Sequence, residues 1–182
     1  LNCWTHCEKC DSLRRKLGIT ATDGSENWRL QKHLFDRVID TLRTRHGKTP
    51  MFWYETDFRE IPEGCVTFAW RHGLTAAAIR AAQENGRKIM LCPGEHCYLD
   101  YPAAPGDMPE VNWGMPITTL EQVYRFDPGY GRTAEEQAHV WGVMGTLWAE
   151  AMPDINRVTY MAYPRALALA EAGWTQMEHR DW

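Results

Sequence analysis

Four short apolar runs punctuate this chain: "PMFWYE", "CVTFAW", "RKIMLCPG" and "AHVWGVMGTLWAE". Each is apolar at consecutive rather than alternate positions, as in strands covered on both faces. Helix-like segments lie around them. Residues 26–46 read as an amphipathic helix, with Leu30, Leu34, Val38 and Leu42 recurring every four residues and Gly47 as the stop. "LTAAAIRAAQENG" reads as a second helix closed by Gly86, and "TTLEQVYRFDP" as a short one entered at Thr118 or Thr119 and stopped before Pro128. A last helix is expected from near Asp154 to about Ala172, kinked or interrupted at Pro164. "TDFREIPEG" and residues 102–116, which hold four of the ten Pro, read as loops. The resulting order is helix, strand, loop, strand, helix, strand, loop, helix, strand, helix. Strands alternating with helices imply an α/β fold with a parallel sheet built from βα units, near residues 50–54, 65–70, 87–92 and 140–148.

With 182 residues the chain is long enough for one domain with a real core, and 44% hydrophobic residues point to a globular protein. A net charge of −4, a pI near 6.0 and the lack of any basic stripe argue against nucleic acid as a partner. No apolar stretch is long enough for a membrane span. No signal peptide is visible and the first residue is not Met, so a fragment or processed product is expected.

Six cysteines are present. Cys3, Cys7 and Cys10 lie in "CWTHCEKC", where a C-x-x-C beside His6 has part of the appearance of a zinc site. No second ligand pair follows, so loop cysteines or a disulfide are the expectation, with neither metal nor cofactor. Cys65, Cys92 and Cys97 lie in or beside apolar runs and are expected to pack as small hydrophobes.

Every apolar run leads to an aromatic or acidic side chain. The first ends at Trp53 with Glu55 just beyond; the second ends at Trp70; the third leads to Tyr98 and Asp100; the fourth leads to Trp148 and Glu150. Nine Trp in one chain of this length is unusual. Any one of them reads equally well as core, and Glu150 alone as a strand-end ion pair. Taken together they point elsewhere, because the C-terminal ends of parallel barrel strands converge on one mouth. A mouth with aromatic walls, two or three carboxylates and a phenol suits a sugar, whose ring stacks on the walls and whose hydroxyls the acids hold.

The same residues carry a resemblance. "LWAE" followed by "VTYMAYPRALALAEAGW", "GEHCYLD" after "RKIML", and the order "FWYE … FAWRHG … YLD … NWG … LWAE" resemble the family 20 glycoside hydrolases, the β-N-acetylhexosaminidases. That family's catalytic domain is a TIM-type (β/α)8 barrel. The resemblance, over nearly the whole chain, is to its C-terminal half, strands five to eight with their helices, and treats residues 1–182 as a single unit. The family's catalytic Asp-Glu pair ends strand four, and no such dipeptide occurs in this sequence. "CWTHCEKC" resembles the loop that follows the pair, so the pair is expected just upstream of residue 1, as is the arginine that holds sugar hydroxyls.

The resemblance implies hydrolysis of terminal β-linked N-acetylhexosamine, GlcNAc or GalNAc, by substrate-assisted retaining catalysis, in which the sugar's 2-acetamido oxygen attacks the anomeric carbon. Trp53, Trp70 and Trp148 would wall the acetamide pocket. Tyr98 would donate to the acetamide oxygen, Asp100 and Glu150 would accept from sugar hydroxyls, and Trp113 would stand at the rim. The family further implies a periplasmic or extracellular parent. Lacking the pair, the chain alone is expected to be inactive and to self-associate through an open barrel side. A non-catalytic glycan-binding half-barrel and a cysteine-based metal-binding module are the competing readings.

Overall fold

The computed structural model describes residues 2–20, 23–53, 62–107, 114–129 and 132–182. The chain divides into two units, Leu1–Pro50 and Met51–Trp182.

In the first unit a single 3-10 turn, Asn2–Trp4, precedes α1 (Glu8–Leu17) and α2 (Glu26–His46). Cys7 stands at the N-cap position of α1 and Cys10 in its first turn, and Cys3, Cys7 and Cys10 are free thiols, so two of them open a helix where loop cysteines or a disulfide are expected from the sequence. α1 carries only a short apolar stripe, Cys10, Leu13 and Leu17, and none of its residues is buried. Glu8 and Asp11 stand in its first turn and Arg14, Arg15 and Lys16 in its last, each sign at the favourable end of the helix dipole. Arg14 pairs with Asp11 and donates to the Trp4 carbonyl at 2.8 Å. α2 keeps the expected bounds, and Gly47, at φ 57°, takes the left-handed turn that ends it. The buried positions of α2 differ from the four-residue stripe: Leu30 and Ile39 are buried, while Leu34 and Val38 are exposed.

The second unit holds one four-stranded sheet: β1 (Met51–Trp53), β2 (Val66–Ala69), β3 (Lys88–Leu91) and β4 (Val140–Val143), in spatial order β1-β2-β3-β4. All three pairings are parallel, with Trp53 opposite Phe68, Ala69 opposite Leu91 and Leu91 opposite Val143. The direction and the positions of β1 to β3 match the sequence expectation, whereas β4 ends at Val143, short of the expected 140–148; beyond it the isolated bridge of Thr146 to Tyr98 continues the pairing. α3 (Thr75–Glu84) connects β2 to β3. Between β3 and β4 lie α4 (Gly94–Cys97), α5 (Leu120–Tyr124) and α6 (Ala134–Gln137), of which α4 and α6 are single turns not foreseen from the sequence. Thr119 caps α5 by accepting the Gln122 N–H at 3.1 Å.

Asp154 accepts the Arg157 N–H at 2.8 Å and opens α7 (Ile155–Ala162); α8 (Arg165–Trp174) follows once Pro164 has interrupted the helix. The core is built from Ile79, Ala82, Ile89, Leu91, Val123, Phe126 and Leu169, with Cys92 and Cys97 fully buried among them as small hydrophobes. Cys65 is buried as well. Gly145 marks a tight approach: a Cβ there would lie 2.8 Å from Leu169 Cδ2, so the chain beyond β4 packs directly on α8. The loops expected at 56–64 and 102–116 fall partly outside the described residues. No helix among the described residues is long and apolar enough to cross a membrane.

Candidate functional site

Because the four strands run the same way, their C-terminal ends lie on one side of the sheet. Trp53 is the last residue of β1, and Trp70 follows β2 directly. The route from β3 is longer. Cys92 N–H donates to the Ala69 carbonyl at 2.8 Å and Gly94 N–H to the Trp70 carbonyl at 2.9 Å, after which α4 turns the chain back. Gly94 marks a close approach there, since a Cβ would sit 2.1 Å from His72 Nε2 and the His72 side chain would have to move aside. Tyr98 then pairs in parallel with Thr146, beyond β4. Thr146 N–H donates to the Cys97 carbonyl and Leu99 N–H to the Thr146 carbonyl, both at 2.9 Å. This ladder brings Tyr98 and Asp100 level with Trp148 and Glu150.

Six of the sequence-derived candidates thus line one open cleft of about 420 Å³: Trp53, Trp70, Tyr98, Asp100, Trp148 and Glu150. The indoles of Trp53 and Trp148 meet with ring centroids 5.5 Å apart at 45°, and Trp53 also leans on Phe68 at 4.9 Å. The guanidinium of Arg71 lies over the Trp70 ring at 4.8 Å. Trp113 and Glu55 fall outside the described residues.

Tyr101 and Met115 also line the cleft and were not singled out from the sequence. The third apolar run leads in sequence to Tyr98 and Asp100, and nothing in the residues beyond it marks Tyr101 out. The Tyr101 ring lies 5.1 Å from that of Tyr98, and its hydroxyl is 3.3 Å from His72 Nε2. Met115 sits in a Pro-rich stretch with no periodicity to mark it.

The two carboxylates differ. Glu150 is exposed, whereas Asp100 is only 3% exposed. Burial pushes the Asp100 carboxyl up to about 6; hydrogen bonds from its own N–H and that of Trp148 oppose the rise, and the charge of Glu150 adds to it. The Thr146 hydroxyl lies 3.5 Å from Asp100 Oδ1. Burial likewise raises the Tyr98 phenol far above its ordinary range, against a hydrogen bond from the Trp148 side chain. Tyr98 is therefore a protonated donor at any physiological pH. Such a cleft can stack a sugar face on indoles, donate from one phenol and accept hydroxyls at two carboxylates. Among the described residues, no group of three or more His, Cys, Asp or Glu side chains is placed to hold a metal ion.

The catalytic domain of glycosyl hydrolase family 20 matches residues 1–177. The chain belongs to that family. It is 37% identical over 180 residues to a beta-hexosaminidase of Akkermansia muciniphila and 30% identical over 181 residues to one of Porphyromonas gingivalis. These alignments cover 98% of this chain but 35% and 22% of the two relatives, so the family 20 chain spans about a third or less of their length. Among solved structures, a beta-N-acetylhexosaminidase crystal structure superposes with a TM-score of 0.81 at 36% identity, covering 98% of this chain and 36% of that one. A family 20 exo beta-N-acetylglucosaminidase from Vibrio harveyi, solved in complex with N-acetylglucosamine, superposes with a TM-score of 0.80 at 32% identity, covering 98% of this chain and 27% of that one. The parallel α/β sheet is accordingly part of a TIM-type barrel.

Proposed function

We propose that this family 20 chain supplies the sugar and acetamide subsite of an exo-acting β-N-acetylhexosaminidase, whose substrate is a glycan ending in β-linked N-acetylhexosamine. The observation that carries this reading is the convergence of three indoles, a buried phenol and two carboxylates, drawn from four successive strand ends, on one cleft. The indoles exclude water and hold the acetamide close to the anomeric carbon. Tyr98 donates to the acetamide oxygen as charge develops there. Asp100 and Glu150 accept from sugar hydroxyls, and Trp113 stands at the rim. The Asp that orients the amide and the Glu that acts as general acid and then base belong to the segment upstream of Leu1, in the other half of the barrel. By the same reading the whole protein works in the periplasm or outside the cell, and this chain alone pairs through its open sheet side.

Hydrolysis of an aryl β-N-acetylglucosaminide tests the proposal. The chain alone should give no turnover, and a protein extended upstream through the acid pair should turn the substrate over. In that longer protein Tyr98→Phe should lower the rate on the order of 10²-fold, the usual cost of losing one such donor. An unchanged rate would remove Tyr98 from the mechanism, and an inactive extended protein would favour the binding module.

A further inference from the structure

Arg165, the first residue of α8, is 2% exposed. A buried guanidinium normally faces a carboxylate, but this one faces carbonyl groups. Nη1 donates to the carbonyls of Tyr101 and Thr118, each at 2.9 Å; Nη2 donates to those of Leu99 at 2.6 Å and Met161 at 2.7 Å. Burial disfavours its charge, and the carboxylates of Asp107 and Asp100 are the nearby charges that support it.

A buried ionic group is a poor source of stability, since an apolar side chain of similar volume often serves as well or better. What the guanidinium adds is a rigid fork that fixes several acceptors at once. Two of its four acceptors are the residues immediately before and after Asp100. On the other side of the segment, Leu99 N–H is bonded to the Thr146 carbonyl at 2.9 Å, and Thr118 N–H holds the Pro102 carbonyl at 2.8 Å. The backbone bearing Asp100 is thus stitched to the β4 extension on one side and to Arg165 on the other.

We infer that Arg165 is a positioning residue of the cleft: its four-carbonyl clamp holds the Leu99–Tyr101 backbone so that the Asp100 carboxylate points into the cleft. It touches no substrate and acts through Asp100. The inference rests on the reading of the cleft as a sugar site, and its test separates the two.

The chain is prepared unsubstituted and as Arg165→Lys, Arg165→Met, Asp100→Asn and the two Arg165/Asp100 double variants. Lysine keeps the charge but cannot span four carbonyls, and methionine fills the space without charge. Two readouts are taken: the affinity for N-acetylglucosamine per folded molecule, and amide hydrogen exchange. In the Arg165 variants the Leu99 and Tyr101 amides should exchange at least about 10-fold faster relative to those of Ile89 and Cys92. Sugar affinity should fall at least about 10-fold, the scale of a lost hydrogen bond to a charged group. Asp100→Asn should then cost less in the Arg165 backgrounds than in the unsubstituted chain, because the carboxylate is already misplaced. Uniform acceleration of all amides, with affinity and the Asp100→Asn cost unchanged, would make Arg165 a fold staple only and overturn the inference. Unfolding of both Arg165 variants would overturn it equally. If the unsubstituted chain fails to bind the sugar, the reading of the cleft falls. The exchange pattern then decides the positioning role alone, selective acceleration supporting it and uniform acceleration ending it.

Discussion

Asp100 places a carboxyl where burial raises it to about 6, above the ordinary value of 3.8. Between those two values the folded chain binds more protons than the unfolded chain. Stability contributed by the protonated form is therefore lost as pH rises from about 4 through 6. The loss reaches up to about 3 kcal/mol once both states are ionised. Asp100→Asn removes the ionisation, so it should stabilise the chain at pH 8 and lose that advantage at pH 4. Thermal melts of both proteins at the two pH values check this; a pH-independent difference would mean that the carboxyl is solvated. Trp53, Trp70, Tyr98, Asp100, Trp148 and Glu150 were legible in the sequence because an apolar run leads to each of them, whereas Tyr101 and Met115 were not. Arg165 was not, since nothing in "AYPRAL" reveals that its side chain turns inward to backbone carbonyls.

At the scale of elements, the helix boundaries follow from caps and breakers. Asp154 caps α7 by accepting the Arg157 N–H, and Pro164 divides α7 from α8. Asp154→Ala should cost about 1 kcal/mol in chemical denaturation while leaving the cleft residues in place; no measurable loss would show that α7 is held by packing alone. Strands β1 to β4 were legible because runs of consecutive apolar residues are hard to place anywhere but in a doubly covered sheet. α1, α4 and α6 were missed for different reasons. α1 buries no residue, and its short apolar stripe is outweighed in the sequence by charged residues placed favourably at both ends. α6 depends on a capping box between Thr133 and Glu136. α4 is a single turn in which the His96 and Cys97 N–H groups donate to the Pro93 carbonyl, too short to show a periodic pattern. The α2 stripe misled in detail, since a spacing of four drifts around a helix of 3.6 residues per turn and its middle positions, Leu34 and Val38, are exposed.

At the scale of the molecule, β1 and β4 each pair on one side only among the described residues, and large apolar side chains such as Trp141 are exposed. Unpaired strand edges and apolar surface favour association. Light scattering on the purified chain should therefore show a species larger than a monomer; a monomer at high concentration would contradict the open-sided picture. On the proposed function, the cleft recognises the acetamide of an N-acetylhexosamine. Titration of the chain with N-acetylglucosamine and, separately, with glucose, followed by NMR of the indole N–H groups of Trp53, Trp70 and Trp148, tests it most directly. Shifts should be confined to those indoles, with an affinity for N-acetylglucosamine at least about 10-fold above that for glucose, which lacks the acetamide that Tyr98 is proposed to serve. Equal affinity for the two sugars, or shifts away from the cleft, would contradict it.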